Sequence, residues 1–142
     1  MGPTASGKSS LALYLSEMLN GEIVSVDSMQ IYSGLDIGTA KPTAEEQKKI
    51  PHHLIDLCSF NERFDVYRYV KAAELAISDI QARGKLPVLC GGTGMYFKAL
   101  LYGLDPLPGD TELRARLDAE YDHEEGHEKL KKLMREIDPD DL

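Results

Sequence analysis

Cysteine is scarce in this 142-residue chain: Cys58 and Cys90 are the whole supply, far apart and each inside an apolar segment. Two isolated thiols cannot build a disulfide framework or a cysteine metal cluster, so reduced core cysteines of a cytoplasmic protein are the expectation. Long apolar runs are missing too. None approaches the roughly 20 residues needed to cross a bilayer, and the first residues carry no signal-peptide pattern, so no membrane partner is expected. Internal repeats and low-complexity segments are likewise absent. With 42% hydrophobic residues, the length suffices for one domain-sized core.

Basic charge is also in deficit, with a formal net charge of −8. An acidic excess argues against a nucleic-acid partner only if it is evenly spread, and here it is not. Residues 118–142 hold ten acidic side chains against four basic ones, whereas residues 1–117 hold fourteen against twelve. The acidity belongs to the tail, the front is nearly neutral, and charge alone selects no class of partner.

What is present begins at the second residue. Gly2, Pro3, Thr4, Ala5, Ser6, Gly7, Lys8 and Ser9 match the phosphate-binding loop pattern G-x-x-x-x-G-K-[ST] in full. Glycines in such a loop let successive N–H groups turn toward an anion, and the dipole of the following helix adds to them. Lys8 would neutralise phosphate oxygens and the Ser9 hydroxyl would ligate Mg²⁺. The pattern specifies a phosphate or diphosphate, not the molecule that carries it.

Periodicity places the loop in a fold. Leu11, Leu15, Met18 and Leu19 recur at helical spacing, and Gly21 is a helix stop. "EIVSV" reads as a buried strand ending at Asp27, and "SMQIYSGLDIGTAKP" as an irregular connection. Thr43 with Glu46 forms a capping box for a short helix that Pro51 ends. "HLIDLC" is the next strand candidate, and His52 and His53 beside it read as structural. Asp65 caps a helix with Val66, Val70, Ala73, Ile77 and Ile80 on one face and Gly84 at its end. "LPVLC" is a strand leading through "GGTGMY" into another helix. From Asp110 the pattern is purely helical, and Asp138 with Pro139 reads as a further helix start.

Strands alternating with helices predict a parallel, three-layer α/β fold, with residues 1–109 as its core and 110–142 as the start of a helical appendage. Ligands sit at the carboxyl ends of strands in such sheets. The phosphate loop, Asp27–Ser28 and Gly91–Gly94 are expected to converge there. Asp27 could hold Mg²⁺ through water, act as a general base, or cap the following turn, and spacing alone leaves the three open. Thr93 could bond an anion or simply sit in a tight strand–helix turn. Small-molecule kinases, nucleotide hydrolases and diphosphate-using transferases all fit these residues.

"GPTASGKS", "EIVSVDSMQIYSGLDIGTAKPT", "PHHLID" and "GGTGMYFKALLYGLDPLP" together closely resemble the bacterial tRNA dimethylallyltransferase family, from Gly2 to the end of the chain. The resemblance implies a P-loop NTPase-like fold with a helical insertion over tRNA. It implies transfer of a dimethylallyl group from dimethylallyl diphosphate to N6 of the adenosine 3′ of the anticodon, by a protein that is monomeric when complete. Thr4–Ser9 would hold the diphosphate, and Asp27 would be the general base. Asp27, Ser28, Met29 and Gln30 would line the flipped-out adenosine, Thr93 would stand by the reacting centre, and Arg114 would contact tRNA. Family members carry a strand before the loop and about as many residues again after Leu142. The chain is therefore expected to be a piece of a longer protein, inactive by itself. An adenylate isopentenyltransferase and a phosphate-loop kinase are the rival readings.

Overall fold

The computed structural model describes residues 6–104 and 110–137. The Gly2–Ala5 part of the phosphate loop, and the helix start expected at Asp138 and Pro139, lie outside the described residues. The chain forms two compact units, Met1–Asp105 and Pro106–Leu142.

In the first unit, helix α1 (Lys8–Met18) leads into strand β1 (Gly21–Val26), then α2 (Ala44–Lys49), β2 (His52–His53), α3 (Val66–Ala82), β3 (Leu86–Gly91) and α4 (Gly94–Tyr102). The strands form a parallel sheet in the order β2–β1–β3, and β1 pairs with β3 over six residues, Gly21 with Leu86 through Val26 with Gly91. Because side chains alternate along a strand, each β1 face feeds a different core. Ile23, with Val88 and Cys90 of β3, packs on Ala12 and Leu13 of α1 and on Ile50. Val24 and Val26, with Leu89, pack on Tyr69, Ala73 and Ile80 of α3 and on Tyr96 and Phe97 of α4. Helices on both faces of a fully buried central strand give the expected three-layer α/β arrangement.

Local chemistry explains the helix ends. The Thr43 hydroxyl accepts from the Glu46 amide while Glu46 Oε2 accepts from the Thr43 amide, completing the capping box. Asp65 caps α3 by accepting from the Arg68 amide, and Gly84 follows that helix in the left-handed conformation. At the amino end of β1 a buried carboxylate, Glu22, is held by Arg83, Lys85 and His53. Hydrogen bonding from Arg83 outweighs burial and keeps that carboxyl well below the usual range.

Two expectations need correction. Leu11, Leu15, Met18 and Leu19 do not form the packed face of α1: Leu11 is 58% and Met18 65% exposed, while Ala12 and Ser16 are buried. Near its end the helix lies close to the sheet: a Cβ built on Gly21 would sit 3.4 Å from Ser16 Cα. The strand expected over "HLIDLC" is confined to His52–His53, paired with Ile23 and Val24. Leu54 and Asp56 have positive φ, which no strand accommodates, and only an isolated bridge from Cys58 to Tyr32 follows.

Close pairing of β1 and β3 makes Gly91 a sharp test. A Cβ there would lie 2.0 Å from the Val26 carbonyl oxygen, a backbone atom that cannot move without parting the strands. Gly91→Ala is expected to cost roughly 3 kcal/mol or more, as severe overpacking does. Melting followed by circular dichroism should fall by about 10 °C or more. Gly92→Ala, with nothing within 4 Å of its built Cβ, should melt close to the parent.

The second unit consists of α5 (Thr111–Tyr121) and α6 (Glu124–Ile137). Asp110 caps α5 through the Leu113 amide, and His123 Nδ1 accepts from the Gly126 amide at the start of α6. Gly126 is required where the helices meet: its Cβ would fall 2.7 Å from Tyr121 Cα.

Candidate active site

A cleft of about 530 Å³ opens at the carboxyl ends of the strands. Ser6–Ser10 form one wall, and Asp27, Met29 and Gln30, following β1, form another. Gly91 and Gly92 at the end of β3, with Gly38–Pro42 of the long connection, complete it, as the convergence of strand ends predicts.

Gly7 precedes α1 in the left-handed conformation at φ 78°, which turns the chain directly into the helix. No side-chain hydrogen bond caps α1, and Lys8, Ser9 and Ser10 of its first turn line the cleft. Lys8 Nζ reaches Ser6 Oγ at 3.5 Å, and Ser9 and Ser10 line the same wall. A cation, hydroxyls and the positive end of an 11-residue helix lie together here, a combination whose chemistry favours anions.

Asp27 has two functions in the geometry. Its Oδ1 accepts from the Met29 amide at 2.9 Å and more weakly from the Gln30 amide at 3.4 Å, the turn-capping role that is one of the three its spacing leaves open. Its Oδ2 has no hydrogen-bond partner among the described residues. The Oδ1 hydrogen bonds fix the carboxylate's direction. Cys90 senses both sides of the cleft: burial raises its thiol pKa, Lys8 lowers it and Asp27 raises it.

Ser28 and Thr93 join the turn after β1 to the turn after β3. The Ser28 amide donates to Thr93 Oγ1 at 2.9 Å, Thr93 Oγ1 donates to Ser28 Oγ at 3.2 Å, and the Thr93 amide donates to the Val26 carbonyl. Met29 is half-exposed on the cleft wall. The Gln30 carboxamide is committed inside the protein: Oε1 accepts from Ser25 Oγ, and Nε2 donates to the carbonyls of Thr39 and Ala40. Arg114 belongs to the second unit, exposed on α5. Behind the site, buried Tyr69 stacks on Tyr96 at 4.0 Å and donates to the Ser25 carbonyl, bracing β1 where it reaches the cleft.

Sequence reasoning missed Lys41, although "DIGTAKPT" contains it. Its side chain is only 6% exposed, and Nζ donates to the Tyr32 carbonyl at 2.7 Å, Asp36 at 2.8 Å and Asp56 at 2.6 Å. Burial works to lower its pKa, but the two carboxylates outweigh that and hold the amine charged. Lys41→Met is expected to cost about 2–3 kcal/mol, the worth of lost charged hydrogen bonds whose carboxylates water then reclaims. Amide exchange in residues 33–41 should accelerate with it, and unchanged exchange would deny Lys41 this role. His53 is structural, as expected, through Nε2 on Glu22. His52 also lines the cleft: Nδ1 donates to the Ile50 carbonyl at 2.7 Å, and burial lowers its pKa, leaving a neutral ring with an acceptor at Nε2.

Comparison with known proteins bears directly on this site. The model of the IPP transferase family matches residues 30–142. The chain belongs to the IPP transferase family. Over 141 residues it is 52% identical to the tRNA dimethylallyltransferase of Halorhodospira halophila, covering 99% of the chain and 45% of that relative. It is 51% identical to the Anaeromyxobacter dehalogenans protein of the same name, covering 97% of the chain and 46% of the relative. Among solved structures, the full-length tRNA isopentenylpyrophosphate transferase of Bacillus halodurans aligns with a TM-score of 0.71 at 42% identity, over 98% of this chain and 46% of that one. A eukaryotic dimethylallyltransferase acting on tRNA aligns at 0.73 and 32% identity, over 98% and 35%. These likenesses make the fold of this IPP transferase family member P-loop NTPase-like. The chain spans about half the length of the curated relatives it matches. No described helix is long and apolar enough to cross a membrane.

Proposed function

We propose that the cleft is the donor and acceptor site of a tRNA dimethylallyltransferase, carrying a dimethylallyl group from its diphosphate to an adenosine N6 of tRNA. The observation that carries this reading is the pairing, on one cleft, of a helix N-terminus bearing Lys8 with a carboxylate that has one oxygen tied to its own turn and the other without a hydrogen-bond partner among the described residues. A hydrolase site would need to place water against the anion; a transfer site needs a base facing an acceptor.

Lys8, Ser9 and the first amides of α1 would hold the diphosphate. The exocyclic amine of adenine is a weak nucleophile because its lone pair is delocalised into the ring. As its nitrogen bonds to the allylic carbon, the carbon–oxygen bond to diphosphate breaks, diphosphate departs with the electron pair, and the N6 proton passes to Asp27 Oδ2. Charge gathering on the leaving group would meet Lys8 and the helix terminus. Ser28 and Thr93 would keep Asp27 aimed at the reacting centre, with Met29 and Gln30 bounding the adenosine side. Arg114 on α5 would contact tRNA.

Among the described residues no group of three His, Cys, Asp or Glu could hold a metal by itself. Mg²⁺ keeps several waters and binds through one or two protein oxygens together with substrate phosphates. Ser9 Oγ is the fitting hard donor on the cleft wall, and Asp27 Oδ2 stays with the acceptor. When bound, Mg²⁺ would supply charge neutralisation to the departing diphosphate.

The test uses a chimaera carrying this chain in place of the matching segment of the Halorhodospira halophila relative. Labelled dimethylallyl diphosphate is offered with unmodified tRNA, AMP or ATP. Label on an adenosine of tRNA supports the proposal. Label on the free nucleotide assigns the cytokinin-type reaction, and phosphate transfer from labelled ATP assigns a kinase.

A further inference from the structure

Ile37 stands at the tip of the connection between Ser33 and Lys41 and is 98% exposed. A single exposed isoleucine is ordinary on a protein surface. What surrounds this one is not. The loop's first residue is tied down by the Ser33 amide on the Cys58 carbonyl and Ser33 Oγ on the Asp56 carbonyl. Its last residue, Lys41, clasps Tyr32, Asp36 and Asp56. Across the loop, Thr39 Oγ1 donates to the Leu35 carbonyl, and Gln30 grips the carbonyls of Thr39 and Ala40. Gly34 and Gly38, with φ of 80° and 81°, bracket the tip and permit its reversal. A loop braced at both ends and across its middle thus presents a bulky apolar side chain to water, directly before the Gly38–Pro42 wall of the cleft.

We propose that Ile37 is a wedge that inserts into the base stack of an RNA loop and holds it open while the neighbouring adenine occupies the cleft. This rests on the transferase reading above. An enzyme that modifies a base must take it out of its stack, and apolar side chains wedged between base steps are a recurrent means of paying the unstacking cost. Burying a fully exposed isoleucine gains free energy of the same order as unstacking one step costs. Branching at Cβ leaves the side chain stiff at χ1, as a wedge requires. Asp36, beside the tip, would repel phosphates; its ion pair with Lys41 at 2.8 Å reduces that charge without cancelling it, because Lys41 also serves Asp56.

The experiment follows a hairpin RNA with 2-aminopurine in place of the loop adenine, whose emission rises when the base leaves the stack. It is titrated with the chain and, in parallel, with the chimaera. Parent protein should raise emission. Ile37→Ala should lose more than half of the rise and weaken RNA binding about tenfold, with pyrophosphate affinity within about twofold of the parent. Ile37→Leu, still large and apolar, should retain most of the rise. Full extrusion by Ile37→Ala beside a responding parent overturns the wedge and leaves the transferase reading standing. A parent that binds no RNA in either form overturns both. A change in sedimentation on Ile37→Ala would reassign the tip to contact between copies of the chain, again overturning the wedge.

Discussion

Asp27→Asn is expected to lower dimethylallyl transfer by the chimaera roughly 100- to 10,000-fold, the usual worth of a general base. The substitution is selective because of how Asp27 is bonded. Asparagine keeps a carbonyl oxygen in the place of Oδ1, so the Met29 amide at 2.9 Å retains its acceptor and the turn after β1 keeps its shape. What changes is the other position: an acceptor becomes an NH₂ group that donates and cannot take a proton. Single-turnover transfer of labelled donor should therefore collapse while pyrophosphate affinity stays within about threefold. Asp27→Ala would lose the turn as well, and is expected to lower stability by about 1 kcal/mol, as loss of a capping oxygen does. Near-parental turnover by the asparagine variant would confine Asp27 to its capping role.

The features legible in the sequence are those whose physics is contained in a few consecutive residues. Thr43 and Glu46 satisfy each other's amides within one turn, so the pattern is the structure. The turn of Gly7 into α1 is contiguous too, and β1 and β3 are short apolar runs whose pairing follows from the parallel layout. The convergence of strand ends came from topology, which alternation of elements largely dictates.

What was not legible depends on partners distant in the chain or on small residues. Helical periodicity gives weight to leucines, but α1 meets the sheet through Ala12 and Ser16, whose smallness is the reason they can approach it. Strand chemistry in "HLIDLC" was real, yet a strand exists only where a neighbour supplies a ladder, and Ile23 and Val24 supply it to His52 and His53 alone. Lys41 is buried because residues 32, 36 and 56 bring it three acceptors, an arrangement no local window contains. Gln30, placed beside the adenosine by resemblance, spends its carboxamide bracing Ser25, Thr39 and Ala40. Its contribution at that wall is thereby shape and rigidity, and the same bracing holds the loop that carries Ile37.

Lys8→Ala is expected to weaken pyrophosphate binding to the chain by up to about a hundredfold in calorimetric titration. A charge-assisted hydrogen bond contributes up to about 3 kcal/mol, and every 1.4 kcal/mol is tenfold in affinity. Lys8 is the first residue of α1, so its side chain and the helix terminus act on the same anion, and removing the amine leaves amides and hydroxyls that carry no full charge. Lys8→Arg is expected to recover only part of the affinity, because a planar fork does not reproduce a compact ammonium. The loss should be largest at low ionic strength, where the lysine's field is least screened. Lys41→Met provides the contrast: its amine already serves Tyr32, Asp36 and Asp56, so pyrophosphate affinity should fall by no more than about threefold although that lysine lines the same cleft. Equal binding by the parent and Lys8→Ala would remove the diphosphate from this end of the cleft, and with it the direction in which a donor could face Asp27.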